Sequence, residues 1–398
     1  MSSLLDGVRV VESAVLLNGD TVGMLLGDLG ADVIKVEAPP GGDYLRYFLG
    51  QIVPGVSVAH AQANRNKRSV LLDLNADADR ETFWRLIDTA HIFVDGNRPG
   101  VCDRLGIGPG EMRRRRPSII YVQHTGFGAD GPYSNIPTHG MLMNALVGAH
   151  AVERGKDGLL KRGSFDEDGA NIGGEATSVG ALHAALHAVA ALVRARGTGT
   201  GAYIDVAGSD ATATTAWLPI AMQRNAERIT DRSGMPARSD GEMTGSRYQF
   251  YETLDGRVVL FGCIEQRFWD KWATAAERAD LVGRQADASN STVDWGDDAE
   301  RRLVAGVIAT KSLDEWLRLA AEHGFALGAA HQSVDEVAAD PHVARRNVFV
   351  EGVHPVAGPI SYVGSAAIVD GERYEVRRHA PAPGEHTEEI LAELDKQG

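Results

Sequence analysis

Residues 8–37 read VRVVESAVLLNGDTVGMLLGDLGADVIKVE, and this stretch decides the fold. Val8 to Glu12 is a short apolar run behind the turn pair Asp6-Gly7, which predicts a buried strand. Thr21 to Leu29 carries apolar residues at helical spacing and stops at Gly30, a residue that tolerates the left-handed conformation closing many helices. Asp32 to Glu37 is a second apolar strand. Strand, helix and strand within about 30 residues make a βαβ unit, which calls for a parallel sheet.

The alternation continues outward. Ser69 to Leu74 reads as a strand, Ala78 to Thr89 as a helix, Ile92 to Asp95 as a strand, Glu111 to Arg116 as a short helix and Ile119 to His124 as a strand. This pattern predicts an open, doubly wound parallel sheet of Rossmann-like α/β type. Glu153 to Gly174 is polar and glycine-containing, so a functional loop is expected there. Ala176 to Ala195 is a long alanine-rich helix stopped by Gly197, followed by a strand at Tyr203 to Val206 and a helix at Ser209 to Trp217. Residues 225–330 open with a hairpin-like segment, YQFYETLDGRVVLFG, turning at Asp255-Gly256. Several helices follow, which suggests a smaller α+β domain. From about residue 335 come turns, short strands and a last helix at Glu388 to Leu394.

Composition bounds the function. A chain of 398 residues has room for two domains. The formal charge of −14 argues against a nucleic-acid partner, since phosphate binding needs clustered basic surface. The one dense basic run, Arg113 to Arg116, reads as a solvated helix end or as a local anion site. Two cysteines, Cys102 and Cys263, are too few for a disulfide framework or a cysteine-rich metal site, so a reducing compartment is expected. The start MSSLLDGVRVVES has no signal core, and no apolar run reaches about 18 residues. The expectation is a cytosolic protein with no membrane partner.

Eight blocks in order then resemble one family. They are LLDGVRVVES with LLGDLGADVIKVEAPPGGD, NRNKRSVLLDL (64–74), VDGNRPGVCDRLGI (94–107), GFGADGPY (126–133), ALHAALHAVAAL (181–192), RGTGTGAYIDV (196–206), ADPHVARRNVFVEGVHPVAGPI (339–360) and APAPGEHTEEILAEL (380–394). The chain resembles the family III CoA-transferases, the CaiB/BaiF family, which share a superfamily with α-methylacyl-CoA racemase. The resemblance implies a large α/β domain built from residues 1–220 and 335–398, a small domain at 225–330, and an interlocked homodimer. It also implies coenzyme A as shared substrate, with no metal. Mapped residue by residue, it puts Leu17, Asn18, Leu72, Asp73, Leu74, Asn75, Gly96, Asn97, Arg98 and Arg104 near the CoA. Arginines suit its phosphates, which they can bind bidentately.

Family III transferases move CoA between carboxylic acids through an enzyme-carboxylate mixed anhydride and an enzyme–CoA thioester. That chemistry needs a positioned carboxylate and oxyanion donors such as backbone N–H groups. The family usually supplies an aspartate in a Gly-Asp step before the alanine-rich helix. Residues 171–180 here read NIGGEATSVG, without an aspartate. An ungapped alignment puts the nucleophile at Thr177; allowing two extra residues puts it at Glu175. Glutamate can do the same acyl chemistry and a lone threonine hydroxyl lacks an evident base, so Glu175 is preferred. It would also favour a helix N-terminus through the dipole. Asp166 and Asp168 are weaker candidates.

Within PTHGMLMNALVG (137–148), His139 has the form seen in the racemase branch, where a histidine serves as a base at the α-carbon. It could equally shape the acyl pocket. Glu265, in FGCIEQRFW (261–269), matches a racemase glutamate or is a plain turn residue. A racemase needs His-Asp and Asp-Glu pairs, yet Gly140 and Thr177 stand where the aspartates belong. A transferase acting on an acyl-CoA and a carboxylic acid acceptor is therefore the preferred function. A racemase, or a CoA-binding protein that has lost catalysis, is the alternative. The segment SDGEMTGSRYQF (239–250) falls where the family places a glycine-rich loop, but it has no glycine triplet.

Overall fold

Alternation of side chains along short parallel strands explains both the core and the site. The computed structural model describes residues 3–150, 152–162, 175–232, 234–235, 245–285 and 293–396. The chain falls into two units, one formed by Met1–Ile220 with Pro341–Gly398 and the other by Ala221–Asp340.

In the first unit the strands before residue 220 are β1 (Arg9–Ser13), β2 (Asp32–Glu37), β3 (Lys67–Leu71), β4 (Ile92–Asp95), β5 (Ile120–Thr125), β6 (Val152–Arg154), β7 (Leu160–Arg162) and β8 (Ala202–Ala207), and after residue 340 Phe349–His354 pairs antiparallel with Gly358–Val363. Six of them form an all-parallel sheet in the order β3-β2-β1-β4-β5-β8, while β6 and β7 pair separately as an antiparallel hairpin. The chain lays down β1, β2 and β3 in one direction, then returns to the other side of β1 with β4. That reversal is a topological switch point, and open sheets bind ligands outside the carboxyl ends of the strands there.

The helices up to residue 215 are α1 (Leu17–Asp28), α2 (Val58–Ala63), α3 (Asp77–Thr89), α4 (Val101–Arg104), α5 (Pro109–Arg115), α6 (Gly140–Leu146), α7 (Glu175–Thr198) and α8 (Gly208–Thr215). Val10, Val33, Ile92 and Val122 face one side of the sheet, where Val22 and Leu26 of α1 and Ala181, Ala184, Ala188 and Leu192 of α7 close the core. Val11, Ile34, Val70 and Phe93 face the other side, against Phe83, Leu86 and Ile87 of α3. Ile390 and Leu394 of the C-terminal helix Thr387–Asp395 join that second core. Arg68 ties the helix down through Glu389 at 2.8 Å and Glu393 at 2.7 Å.

Several boundaries differ from the sequence expectation. Helix α1 starts at Leu17 rather than Thr21, and β3 ends at Leu71, so Leu72 to Asn75 lie beyond the strand. The polar stretch after residue 150 includes the β6–β7 hairpin. Helix α7 does not stop at Gly197; it runs to Thr198, and Gly199, with φ 70°, ends it. The single helix expected at Ser209 to Trp217 is two, α8 and a helix at Trp217–Arg224. By length and composition α7 could cross a bilayer, contrary to the expected lack of such a run. Its inner face is nevertheless core of the large unit.

The second unit has a three-stranded antiparallel sheet, Gln249–Glu252, Val258–Phe261 and Leu327–Ala329, with Asp255-Gly256 in the first hairpin turn. Trp269, Trp272 and Trp316 form its core with Phe261. Inside it, buried Arg247 pairs with Glu300 at 2.8 Å and lies 3.9 Å from the Trp269 ring.

Candidate active site

At the switch point the backbones of two segments nearly touch. A Cβ on Gly96, just after β4, would lie 2.6 Å from the Ala14 Cβ and 2.9 Å from the Gly19 Cα. A Cβ on Gly19 would lie 2.9 Å from the Gly96 Cα. Only glycine fits at either place, so the start of α1 can lie flat against the turn after β4. That turn is built by Asp95, whose Oδ1 accepts from the Asn97 N–H at 2.9 Å and from its Nδ2 at 3.0 Å. Tyr121 donates to the other oxygen at 2.6 Å, and burial raises the Asp95 pKa.

Beside this contact lies a cleft of about 180 Å³. Its walls are Ser13–Val15 after β1, Val36–Ala38 at the end of β2, Gly42 and Asp43, residues 72–75, Asn97 and Leu105. Five of the ten residues expected near CoA, namely Leu72, Asp73, Leu74, Asn75 and Asn97, therefore line one cavity. Leu17 and Asn18, half-buried, form the first turn of α1, and Gly96 sits behind the wall in the close contact above. Arg98 and Arg104 are exposed and are not part of the wall. Asp73 accepts from the Asn75 N–H and Nδ2, both at 3.0 Å, and these bonds lower its pKa.

Beneath the cleft the period of two turns polar. Glu12, Lys35, Glu37, Lys67 and Ser69 all point to the α1 side and are buried. Lys67 donates to both Glu12 oxygens at 2.9 Å and to the Asn64 Oδ1 at 3.0 Å. Lys35 contacts Glu12 at 3.2 Å, Asp43 at 3.0 Å and also Asp20. Arg46 grips Glu37 at 2.5 and 3.0 Å. Burial pushes the Asp20 carboxyl well up. Burial works in the same direction on Asp43, but Lys35 and hydrogen bonds to the Leu45 and Leu16 N–H groups outweigh it and hold Asp43 well below the usual range. His60, beside this network and with neither ring nitrogen hydrogen-bonded among the described residues, is driven by burial and by Arg46 and Lys35 down to about 2.

The second half of the site lies where β5 ends and α7 begins. His124 is fully buried, with Nδ1 2.9 Å from the carbonyl oxygen of Asn18. A carbonyl only accepts, so Nδ1 carries the proton and Nε2 is an acceptor, buried and without a hydrogen-bond partner among the described residues. The ring fills space that a Cβ on Gly180 would need. Burial lowers the His124 pKa to about 4, against the opposing bond to Asn18, so the ring is neutral at pH 7. Thr177 in the first turn of α7 donates to the Asn18 Oδ1 at 3.2 Å. Asn18 thus joins an expected CoA contact to an expected nucleophile position. His124 was not foreseen; a lone histidine in an apolar strand gives no signal of its own.

Glu175 is the first residue of α7, two residues before Thr177; its side chain, like Asp166, Asp168 and residues 239–244, lies outside the described residues. His139 is exposed at the start of α6, where its side chain makes no capping bond. Glu265 occupies the equivalent place before the helix Gln266–Ala275 of the second unit, half-buried. In the basic run, Arg114 pairs with Glu111, Arg115 with Asp88, and Arg116 with the Asp88 carbonyl. A hollow of about 530 Å³ beside Arg113, Arg114 and Tyr203 opens at the amino ends of β5 and β8. That is the edge opposite to the one where such sheets hold ligands. Among the described residues no cluster of His, Cys, Asp or Glu is arranged to hold a metal.

Known proteins share this fold. The chain is 29% identical over 401 residues to "Probable fatty acyl-CoA transferase Rv3272" of Mycobacterium tuberculosis, covering 98% of this chain and 97% of that one. It is 28% identical over 406 residues to "Succinyl-CoA--L-malate CoA-transferase beta subunit" of Chloroflexus aurantiacus, covering 98% and 94%. A crystal structure of Rv3272 superposes with a TM-score of 0.75 at 26% identity, over 96% of this chain and 98% of that one. Residues 5–387 match the model of the family described as CoA-transferase family III. With the parallel sheet, the glycine-lined switch point and a match over nearly its whole length, the chain belongs to CoA-transferase family III.

Proposed function

We propose that this protein transfers coenzyme A from an acyl-CoA to a carboxylic acid, with Glu175 as the carboxylate that accepts the acyl group. The whole-length relation to proteins named CoA-transferases carries the proposal. In the first step the Glu175 carboxylate attacks the donor thioester carbonyl, and the CoA thiolate leaves, giving an acyl–glutamyl anhydride. The thiolate then attacks the glutamyl carbonyl, forming a glutamyl thioester and releasing the donor acid as its carboxylate. The acceptor carboxylate attacks that thioester and expels the thiolate, which takes the new acyl group from the resulting anhydride and frees Glu175. No proton or electron is left over.

The CoA would enter the cleft at the switch point, touching Leu72 to Asn75 and Asn97, with Leu17, Asn18 and Gly96 at its edge. Arg98 and Arg104, exposed near the α4 end, would meet its phosphates. We also infer a cytosolic, interlocked homodimer. Leu182, Leu186 and Val193, 56%, 65% and 70% exposed along one side of α7, supply an apolar face for a partner subunit.

Thr177 favours a second reading. A hydroxyl engaged by Asn18 stands at the ungapped nucleophile position, as expected of a protein that binds CoA thioesters without moving the CoA. One assay separates the two: an acyl-CoA, an isotopically labelled free acid and the protein are mixed, and labelled acyl-CoA is measured. Label in the thioester fraction supports transfer; CoA binding without it supports the second reading. Deuterium from solvent at the α-carbon, with no acceptor present, would mark the racemase reaction instead.

A further inference from the structure

Leu16, the residue before α1, has φ 61° and ψ −156°. That region is essentially reserved for glycine, because a Cβ there collides with the adjacent peptides, and a leucine persists in it only where its surroundings enforce it. The enforcing group is Asp43, 27 residues away, whose two oxygens accept from the Leu16 N–H at 3.1 and 3.2 Å. Asp43 is itself immobilised. It accepts from the Leu45 N–H at 2.9 Å, its own N–H donates to the Glu37 Oε1 at 2.8 Å, and Lys35 lies 3.0 Å away. One carboxylate therefore clamps the turn after β1 to the turn after β2, and both turns line the cleft. The residues that follow Leu16 include Asn18, whose two oxygens meet His124 and Thr177.

We propose that Asp43 is a positioning residue for the coenzyme A site, holding Leu16 in its left-handed conformation and so setting Asn18 and the wall of the cleft. The assignment rests on coenzyme A occupying that cleft. Asp43 shares Lys35 with Glu12 and Asp20, and of these three carboxyls it is the one whose oxygens reach the Leu16 N–H. Lys35 would keep Glu12 and Asp20 without it. The carboxylate is there for its two acceptor oxygens, in the place where the backbone is strained.

The test is calorimetric titration of CoA into the unaltered chain, Asp43→Asn, Leu16→Gly and the double variant. Asp43→Asn weakens CoA binding about tenfold, the scale of one strained residue released. Leu16→Gly in the same chain restores affinity to within about threefold, because glycine holds the conformation unaided. Leu16→Gly alone stays within about twofold. Unchanged binding by Asp43→Asn, or a double variant as weak as Asp43→Asn, overturns the assignment. If Asp43→Asn does not fold, Asp43→Glu keeps the charge beside Lys35 but moves the oxygens off Leu16, and the same loss and rescue are expected. Wild-type affinity in Asp43→Glu would then overturn it. An unaltered chain that does not bind CoA overturns the proposed function and this assignment together, whereas binding that no variant alters overturns this assignment alone.

Discussion

Thr177 and Asn18 are joined by a hydrogen bond of 3.2 Å from the threonine hydroxyl to the side-chain oxygen. The bond engages the hydroxyl in holding the mouth of α7 against the mouth of α1, which agrees with the proposal of Glu175, rather than Thr177, as the acyl carrier. Thr177→Val, which keeps the shape and drops the hydroxyl, should destabilise the fold by about 1 kcal/mol. Its turnover should fall less than about tenfold, against a loss of roughly ten-thousandfold for Glu175→Gln. Steady-state kinetics on both variants would decide; the reverse ranking would make Thr177 the catalytic group.

Gly96 is predicted to be intolerant of any side chain. Its Cβ would press on the Ala14 Cβ and the Gly19 backbone at 2.6 and 2.9 Å, and backbone cannot step aside as a flexible side chain can. Gly96→Ala should cost about 1–3 kcal/mol of stability by overpacking. It should also weaken CoA binding, by parting the turn after β4 from α1. A urea melt and a CoA titration measure the two effects, and a variant normal in both would contradict the account of the switch point.

Acid should weaken the fold through His124. Its pKa lies at about 4 when folded, below the ordinary value near 6.5, so the unfolded chain takes up the proton first. Stability is therefore lost as pH falls from about 6.5 towards 4 and levels off below, the total being on the order of 3 kcal/mol. His60, at about 2, adds a slope of the same sign that extends to lower pH. His124→Asn keeps a donor for the Asn18 carbonyl but does not titrate. Melting temperatures between pH 7 and pH 4 should fall less steeply for this variant than for the unaltered chain; parallel curves would refute a buried neutral His124.

Local pattern made the parallel sheet legible. Val10, Val33 and Ile92 alternate with residues facing the other way, and Asp6-Gly7 and Gly30 punctuate the first unit. Where the pattern misled, tertiary contacts prevailed. Asn18-Gly19-Asp20 has turn chemistry, yet it is helical because Asp43 fixes Leu16 and Gly96 lets the segment lie flat. Gly197 does not end α7, whose long alanine face is held on the sheet; Gly199, in the left-handed region, does. Residues 72–75 and Asn97 could be placed by resemblance, and they meet at one cleft. Asp43 and His124 could not, because what marks them is a partner 27 residues away in one case and 106 in the other.

Transfer through a glutamyl thioester is tested most directly by chemical trapping. The protein is incubated with an acyl-CoA, treated with hydroxylamine and digested, and the peptide that contains Glu175 is read by mass spectrometry. A hydroxamate on Glu175 that appears only when acyl-CoA is present is the predicted result. An unmodified Glu175 in protein that still produces labelled acyl-CoA, or the hydroxamate on another carboxylate, would contradict it.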